Sequence, residues 1–153
     1  MQEQHRLDDI APGPGTYLLV LAASQGRSVQ VGRLGIIDLQ AGYYLYIGSA
    51  FGSGGIRSRV KHHARIAARP HWHLDYIRPC LSLESIWYSH DPIGHECEWA
   101  AVLAGKSTIT EPLPGFGASD CDCATHLFYQ SRQPRFADFK KLLEHHTLNR
   151  MVL

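Results

Sequence analysis

The segment Thr16-Tyr17-Leu18-Leu19-Val20-Leu21-Ala22-Ala23 is the longest apolar run of the chain, and it decides the class of fold. Its eight residues fall far short of the roughly 20 that a membrane-spanning helix needs. The run is rich in residues that favour extended backbone, which predicts a buried strand. Gln25-Gly26 predicts a turn after it, and Ser28–Val31 predicts a partner strand.

Further along the chain, turn residues separate short stretches of strand and helix character. Strands are predicted at 43–49, at 81–88 and around 126–129, and Gly32–Gly42 is predicted to be irregular. Helices are predicted at 56–68, from Asp91-Pro92 to Ala104 with Asp91 as the N-cap, and at 134–146, with a short helical turn at 71–77. The expected fold is an α/β (α+β) protein in which helices flank a small antiparallel sheet of about three core strands.

The composition is that of an ordinary globular protein. The chain has 153 residues, of which 44% are hydrophobic and 19% charged, enough for one domain with its own core. We expect a loose tail over 1–11, the main domain over 12–131, and a helical extension over 132–153 that packs on this domain. The polar start Met1–Asp9 is unlike a signal peptide. Together with four cysteines it favours a reducing, cytoplasmic setting without a membrane partner.

Charge is distributed unevenly along a nearly neutral chain. The net charge of +1 neither supports nor excludes a polyanionic partner, but no carboxylate occurs between Asp38 and Asp75. The same window holds five cations, namely Arg57, Arg59, Lys61, Arg65 and Arg69. A local basic stretch of this kind suits a surface that follows phosphates, and it is equally typical of a solvated helix face.

The predicted helix at 56–68 separates its cations by helical phase. At 100° per residue, its apolar positions form one stripe, made of Ile56, Val60, Ala64 and Ala67. Arg57, Lys61 and Arg65 line one border at intervals of four; we call them the basic rail and predict that they contact nucleic-acid phosphates. Arg59 and His63 share the opposite border, where Arg59 either serves a site or lies along the edge of the core.

Two glutamates lie close together on the next long helix, and only one shares its apolar stripe. Glu96 falls in line with Trp99, Ala100 and Leu103, whereas Glu98 points away. Both positions suit the positive end of a helix dipole. A carboxylate at the edge of the core, however, costs free energy unless it is paired or binds a metal ion. Glu96 is therefore the functional candidate.

Five positions resemble, in order, the signature of the GIY-YIG nuclease superfamily. Gly15-Thr16-Tyr17 and Tyr46-Ile47-Gly48 resemble its two half-motifs, and Ile56-Arg57-Ser58-Arg59 resembles its Leu-x-x-Arg. His63 matches a position that often carries histidine or tyrosine. Glu96, in Glu-Cys-x-x-Ala-x-x-Leu, resembles the superfamily's metal-binding glutamate. The match predicts a strand, a strand, a helix and a helix in the superfamily's order.

Longer motifs are similar to one GIY-YIG-related family of unassigned function, whose members occur alone or fused to endonuclease-III-like DNA glycosylases. They are Gly42–Ala50, His71–Tyr76, Glu96-Cys97 and Phe116–Leu127, so the similarity runs from about Gly15 to Tyr129. Tyr17 and Tyr46 lie 29 positions apart, which makes Gly32–Gly42 an insertion relative to most nuclease members. The superfamily's closing asparagine is also missing, so its role is either vacant or taken by Asp120 or Ser119.

The resemblance implies an endonuclease that hydrolyses phosphodiester bonds with Mg²⁺ or Mn²⁺, DNA being the expected nucleic acid. Glu96 would hold the metal ion, Arg59 would bind the scissile phosphate, and Tyr17 would act as base or orient the nucleophile. Tyr46 and His63 would complete the hydrogen-bond network, with His63 moving a proton near neutral pH. Without the resemblance, aromatic packing on the sheet is the preferred interpretation of Tyr17 and Tyr46.

A second cluster of potential ligands leaves two other functions open. Cys121, Cys123 and His126 suit Zn²⁺, and Cys97 or Cys80 could complete four ligands, although the motif could also be purely structural. The chain could accordingly be a zinc-binding protein centred on this cluster. It could also be a catalytically silent module that binds nucleic acid through the basic rail.

Overall fold

The computed structural model describes residues 6–118, 122–143 and 146–153, and strand β1 (Gly15–Ala23) lies at its centre. β1 pairs antiparallel with β4 (Gly42–Ala50) on one side and with β5 (Ser82–Ser89) on the other. Two edge strands, β6 (Leu127–Gln130) and β7 (Asn149–Val152), complete a sheet of order β6-β4-β1-β5-β7. The expected antiparallel sheet with three core strands is confirmed, and the two edge strands extend it.

Helices cover both faces of the sheet, so its central strand is buried on both sides. On one face pack α1 (Gly55–Ala64), α2 (His73–Ile77) and the 3₁₀ turn Arg78–Cys80 that follows; on the other pack α3 (Glu96–Ala104) and α4 (Phe136–Leu142). Alternate residues of β1 enter the two cores: Leu19 faces the α1 side and Leu18 the α3 side. This two-sided burial explains why β1 is an unbroken apolar run.

The prediction that Gly32–Gly42 is irregular is wrong. Residues 35–39 form strand β3 (Gly35–Leu39), which pairs with β2 (Arg27–Val31) in a separate two-stranded sheet. Within β3, Ile37 and Leu39 are buried while Ile36 and Asp38 are exposed, the period-2 pattern of a half-buried strand. The frequent glycines concealed this short pattern in the sequence.

Several predicted helix limits were also wrong. α1 ends at Ala64 because Arg65 is extended, and α3 begins at Glu96 without Asp91 as its N-cap. The backbone N–H of His95, just before the helix, donates a hydrogen bond to Thr16 Oγ1 of strand β1 at 3.0 Å instead. β7 lies in the extension predicted to be helical, where it pairs with the edge of β5. Because this pairing depends on a strand that is distant in the chain, the local sequence of β7 carries little sign of it.

The expected loose tail is wrong over residues 6–11. Leu7 and Ile10 are fully buried in the α1-side core. The Arg57 guanidinium donates to the carbonyl oxygens of Ile10 and Asp8, at 2.6 and 2.9 Å, and Lys61 forms an ion pair with Asp8. The segment is therefore held by apolar burial and by two cations of α1.

Near the C-terminal end of the described chain, Phe139 and Leu143 are buried in the α3-side core. Within the described part of the chain, every helix is too short or too polar to cross a lipid bilayer.

Candidate active site

Two tyrosines from neighbouring central strands begin the site. Tyr17 on β1 lies directly opposite Gly48 on β4, and a Cβ at Gly48 would come within 2.3 Å of the Tyr17 hydroxyl oxygen. A side chain at position 48 would therefore occupy the place of the phenol. Tyr46 lies two residues before Gly48 on the same face of β4, and both phenols are almost completely buried.

Helix α1 adds an imidazole and a guanidinium, four residues apart. The His63 Nε2 atom lies 3.0 Å from the Tyr17 hydroxyl, and the His63 ring meets the edge of Tyr46. Arg59 lies with its guanidinium carbon 4.2 Å from the ring centroid of Trp72 and its Nη1 3.5 Å from the Ser49 carbonyl oxygen. Because i and i+4 lie on one face of a helix, the spacing of Arg59 and His63 aims both at the tyrosines.

Helix α3 contributes Glu96 at its first turn. Trp99, Ala100 and Leu103 are buried, so the predicted helical phase of the glutamate is right. The Glu96 side chain is 30% exposed and its Oε2 lies 3.9 Å from His126 Nδ1. It accepts no hydrogen bond from any residue that the structure describes, so its oxygens remain available to a ligand.

These groups share one cavity of about 170 Å³. Tyr17, Tyr46, Arg59 and Glu96 line it directly, while His63 lies behind Tyr17. Further lining residues come from β4, from the segment around α2 and from the approach to β6, namely Ile47, Gly48, Ser49, His71, Trp72, His73, Gly117 and His126. The fold thus brings together all five residues that the resemblance selected from four separate elements.

Burial keeps the two tyrosine phenols and the His63 imidazole in their neutral forms. It raises the pKa of Tyr17 well above its ordinary value, with a further rise from Tyr46, although Arg59 opposes both. It raises the pKa of Tyr46 as well. Burial, aided by His62, lowers the pKa of His63 to about 3. His63 is therefore a neutral imidazole at pH 7, and the expectation that it titrates near neutrality does not fit its position.

Three lining residues were not predicted as part of the active site. Trp72 supports Arg59, His126 borders Glu96, and His73 accepts the Gly117 N–H at its Nδ1 atom, at 2.7 Å. With Nδ1 used as acceptor, neutral His73 carries its proton on Nε2. The motif His71-Trp72-His73 was visible in the sequence, but its spacing alone did not separate packing from function.

A buried carboxylate holds the segment that carries Trp72 and His73. Asp75 accepts the backbone N–H groups of His71 and Trp72, at 2.8 and 3.0 Å, and lies 3.0 Å from His62 Nε2. Burial alone would raise the pKa of Asp75, but these hydrogen bonds outweigh it and lower the pKa below its usual value. Asp75 is thus a charged anchor for one wall of the cavity.

The basic rail does not form one open surface. Arg57 and Lys61 contact the segment 8–10, as described above. Arg65 is exposed, and its Nε donates to the Lys61 carbonyl oxygen of its own helix. Of the three predicted phosphate contacts, Arg65 has the most accessible charge. Nucleic-acid binding by the rail stays a prediction.

Glu98 lies on the other side of the first turn of α3, beside two stacked histidines. The rings of His95 and His146 are 4.0 Å apart at their centroids, and Glu98 Oε2 lies 3.5 Å from His95 Nδ1 and 3.4 Å from His146 Nε2. We call Glu98, His95 and His146 the outer histidine cluster. Glu98 is 44% exposed, and it does not line the cavity.

The predicted zinc cluster is described in part. Cys123 and His126 lie close to Cys97 of α3, whereas Cys80 packs against the core on the α1 side. Cys121 lies outside the described residues, as do Ser119 and Asp120, the proposed replacements for the missing asparagine.

The cavity is surrounded by two tyrosines on neighbouring strands, an arginine on one helix and a glutamate on another. This arrangement defines a GIY-YIG-like protein. The chain belongs to the family described as Domain of unknown function DUF123, whose model matches residues 16–148 and which is GIY-YIG-like. No curated protein and no solved structure is similar enough to count as a match. Membership of this family accounts for the fold, and the family's description assigns no activity.

Proposed function

We propose that this protein is a divalent-metal-dependent endonuclease that hydrolyses phosphodiester bonds in nucleic acid, with DNA as the expected substrate. One observation carries the proposal: the Glu96 carboxylate, the Arg59 guanidinium and two phenols line the same cavity. Phosphodiester hydrolysis requires charge stabilisation on the phosphoryl oxygens, a positioned water and help for the leaving oxygen. The cavity holds groups suited to the first two tasks.

The size of the cavity favours a backbone phosphate over a whole nucleotide. Its volume of about 170 Å³ would hold a phosphate group and a few waters. It is smaller than the roughly 300–1,000 Å³ of pockets that enclose drug-sized molecules. The bases would then lie outside, which favours recognition of nucleic-acid shape over sequence.

Arg59 is the phosphate-binding group of the proposal. Its guanidinium lies over Trp72, so its plane is restrained before any substrate arrives. A guanidinium has five N–H donors and matches two phosphoryl oxygens at once. The Nε2–H of His73, in the same cavity, would donate a further hydrogen bond to a bound phosphate.

Glu96 fits a hard divalent cation. Its carboxylate is partly exposed to the cavity. It accepts no hydrogen bond from a described residue, and its Oε2 lies 3.9 Å from His126 Nδ1. Mg²⁺ and Mn²⁺ prefer oxygen ligands, and Mg²⁺ commonly keeps several waters beside one or two carboxylates. A bound ion would supply charge stabilisation and a more acidic water, while Glu96 would fix its place.

The two phenols would act as hydrogen-bond donors. Both stay protonated at neutral pH because burial raises their pKa values. Proton transfer from Tyr17 to His63 is strongly unfavourable, since the pKa of His63 is lowered to about 3. Of the two roles considered for Tyr17, orienting the attacking water therefore suits the site better than acting as its base.

A nuclease screen tests the proposal. The full chain would be incubated with branched, flapped, abasic and single-stranded DNA, and with matched RNA, in Mg²⁺, Mn²⁺ or EDTA. We expect cleavage of at least one substrate that depends on the added ion and is absent in Glu96→Gln. Binding without cleavage under every condition would reject the nuclease and favour a silent nucleic-acid-binding module. Neither binding nor cleavage would reject both.

A further inference from the structure

Two cysteines from distant parts of the chain meet beside the first turn of α3. Cys97 follows Glu96 on the helix, and Cys123 lies in the segment that leads into β6. Their Sγ atoms are 2.9 Å apart. A disulfide requires about 2.05 Å, so the sulfurs are not bonded, yet they lie closer than an ordinary non-bonded contact of about 3.5–4.0 Å. The Cys123 thiol can donate a weak hydrogen bond to Cys97 at this distance, and the two sulfurs lie where a disulfide or a shared ion could also link them.

A third donor distinguishes a metal ion from a disulfide as that link. The His126 imidazole joins the pair, and one ligand atom from each of the three residues lies within 4.8 Å of the others. A disulfide would use the two sulfurs alone, whereas a metal ion would bind the imidazole together with both sulfurs. Two thiolates and an imidazole are ligands that zinc prefers.

Two other groups of potential ligands are already occupied by internal contacts. In the group His62, His63 and Asp75, the His62 Nε2 atom faces Asp75 and the His63 Nε2 atom faces Tyr17. In the outer histidine cluster, His146 Nδ1 accepts the Trp99 indole N–H and His95 Nε2 lies 3.1 Å from Asp91. Among the three groups found in the described part of the chain, the cysteine group is the one that contains thiols, the ligands that a soft ion prefers.

We propose that Cys97, Cys123 and His126 bind a Zn²⁺ ion that joins the first turn of α3 to the segment before β6. With Zn–S bonds of about 2.3 Å in tetrahedral geometry, the two sulfurs would lie about 3.8 Å apart. Cys97 is exposed and Cys123 half-buried, so rotation of the side chains provides this separation. Three protein ligands leave one position for water or another donor.

The site is distinct from the one proposed at Glu96 and stands without it. Thiolates select a soft ion, whereas the Glu96 carboxylate selects a hard one. The two lie close together because Cys97 follows Glu96 in the chain and the His126 ring borders both. An ion on His126 would also fix the orientation of that ring beside Glu96.

Elemental analysis of the full chain, purified from zinc-supplemented cells without chelators, tests the proposal. We expect about one zinc per chain, falling to near zero in Cys97→Ser and in Cys123→Ser. Cys80→Ser is the matched control, because Cys80 lies in the other core, and it should keep its zinc. Replacing zinc by Co²⁺ should give thiolate-to-cobalt charge-transfer absorption in the wild-type protein.

Three results would overturn the zinc site: wild-type protein without zinc, equal zinc in wild-type and both cysteine variants, or a Cys97–Cys123 disulfide in protein purified without reductant. If a variant fails to fold, the zinc content and cobalt spectrum of the wild-type chain still decide. None of these readouts depends on cleavage, so failure of the nuclease proposal leaves them unaffected.

Discussion

Glu96 and Glu98 lie two residues apart on the same helical turn, yet they enter different surroundings. Glu96 reaches the cavity with Arg59 and two tyrosines, whereas Glu98 joins the outer histidine cluster. Two residues correspond to about 200° around an α-helix, which sends the side chains to opposite sides. Both glutamates complement the helix dipole equally well. The difference therefore shows that the helical phase of a carboxylate selects its neighbouring groups, and that these neighbours decide what the carboxylate can do.

The largest expected effect comes from exchanging each glutamate for glutamine. Glu96→Gln should lower metal-dependent cleavage by about 1,000-fold or more, because it removes the charge that is proposed to hold the ion and, with it, several kcal/mol of transition-state stabilisation. Glu98→Gln should cleave within about threefold of wild type, since exposed ion pairs contribute little. Single-turnover cleavage rates measure both. Equal losses of cleavage rate in the two variants would contradict the assignment of different roles to the two sides of the helix.

Arg59→Lys should lower cleavage by about 100-fold while leaving the fold intact. Lysine keeps the charge but loses the planar fork and the stacking on Trp72. Arg65→Lys is the matched control on the same helix, and its exposed side chain should tolerate the change. Kinetics and thermal unfolding should be recorded together. Full activity in Arg59→Lys would mean that the cavity side of α1 does not bind the reacting phosphate.

Because His63 is buried behind Tyr17, the free energy of unfolding should fall as the pH is lowered. The ordinary pKa of histidine is about 6.5, and that of folded His63 is about 3. The unfolded state therefore binds more protons in this window. Stability is fully present above about pH 6.5 and is lost as the pH falls towards 3, by up to about 1.4 kcal/mol per pH unit.

His63→Gln removes this titration while keeping a hydrogen-bonding group beside Tyr17. The free energy of unfolding, measured with denaturant from pH 4 to 7, should depend less on pH in the variant than in the wild-type protein. Parallel pH profiles would show that His63 is not buried in its neutral form.

Thr16 connects the central strand to the start of the helix that carries both glutamates. Thr16→Val keeps the shape but leaves the His95 N–H without its acceptor, which should cost about 1 kcal/mol of stability. Chemical denaturation measures the loss. Cleavage should fall as well if the placement of Glu96 depends on this bond. A variant as stable as wild type would indicate that water replaces the hydroxyl.

The smallest expected effect is on DNA binding by Arg65, and it tests whether the substrate extends beyond the cavity. Arg65→Ser should weaken DNA binding equally for all sequences and reduce the slope of log K against log salt by about 0.9. Arg57→Ser should instead destabilise the protein, because Arg57 holds the carbonyl oxygens of residues 8 and 10. If the slope is unchanged in Arg65→Ser, Arg65 does not contact phosphate, and the substrate contacts of α1 are limited to its cavity side.

Sequence alone determined those parts of the protein that depend on local pattern. The apolar run of β1, the apolar stripe of α3 and the i, i+4 spacing of Arg59 and His63 follow from backbone periodicity. The phase of Glu96 against Glu98 follows from the same rule. The ordered motifs, through their resemblance, also predicted which residues would share one site.

Only the tertiary structure decided what depends on distant partners. The pairing of β7 with β5, the burial of Leu7 and Ile10, and the meeting of Cys97 with Cys123 join residues far apart in the chain. The neutral state of His63 likewise results from burial and from charges on neighbouring elements. Contacts and desolvation belong to the folded arrangement, so a pattern of neighbouring residues does not contain them.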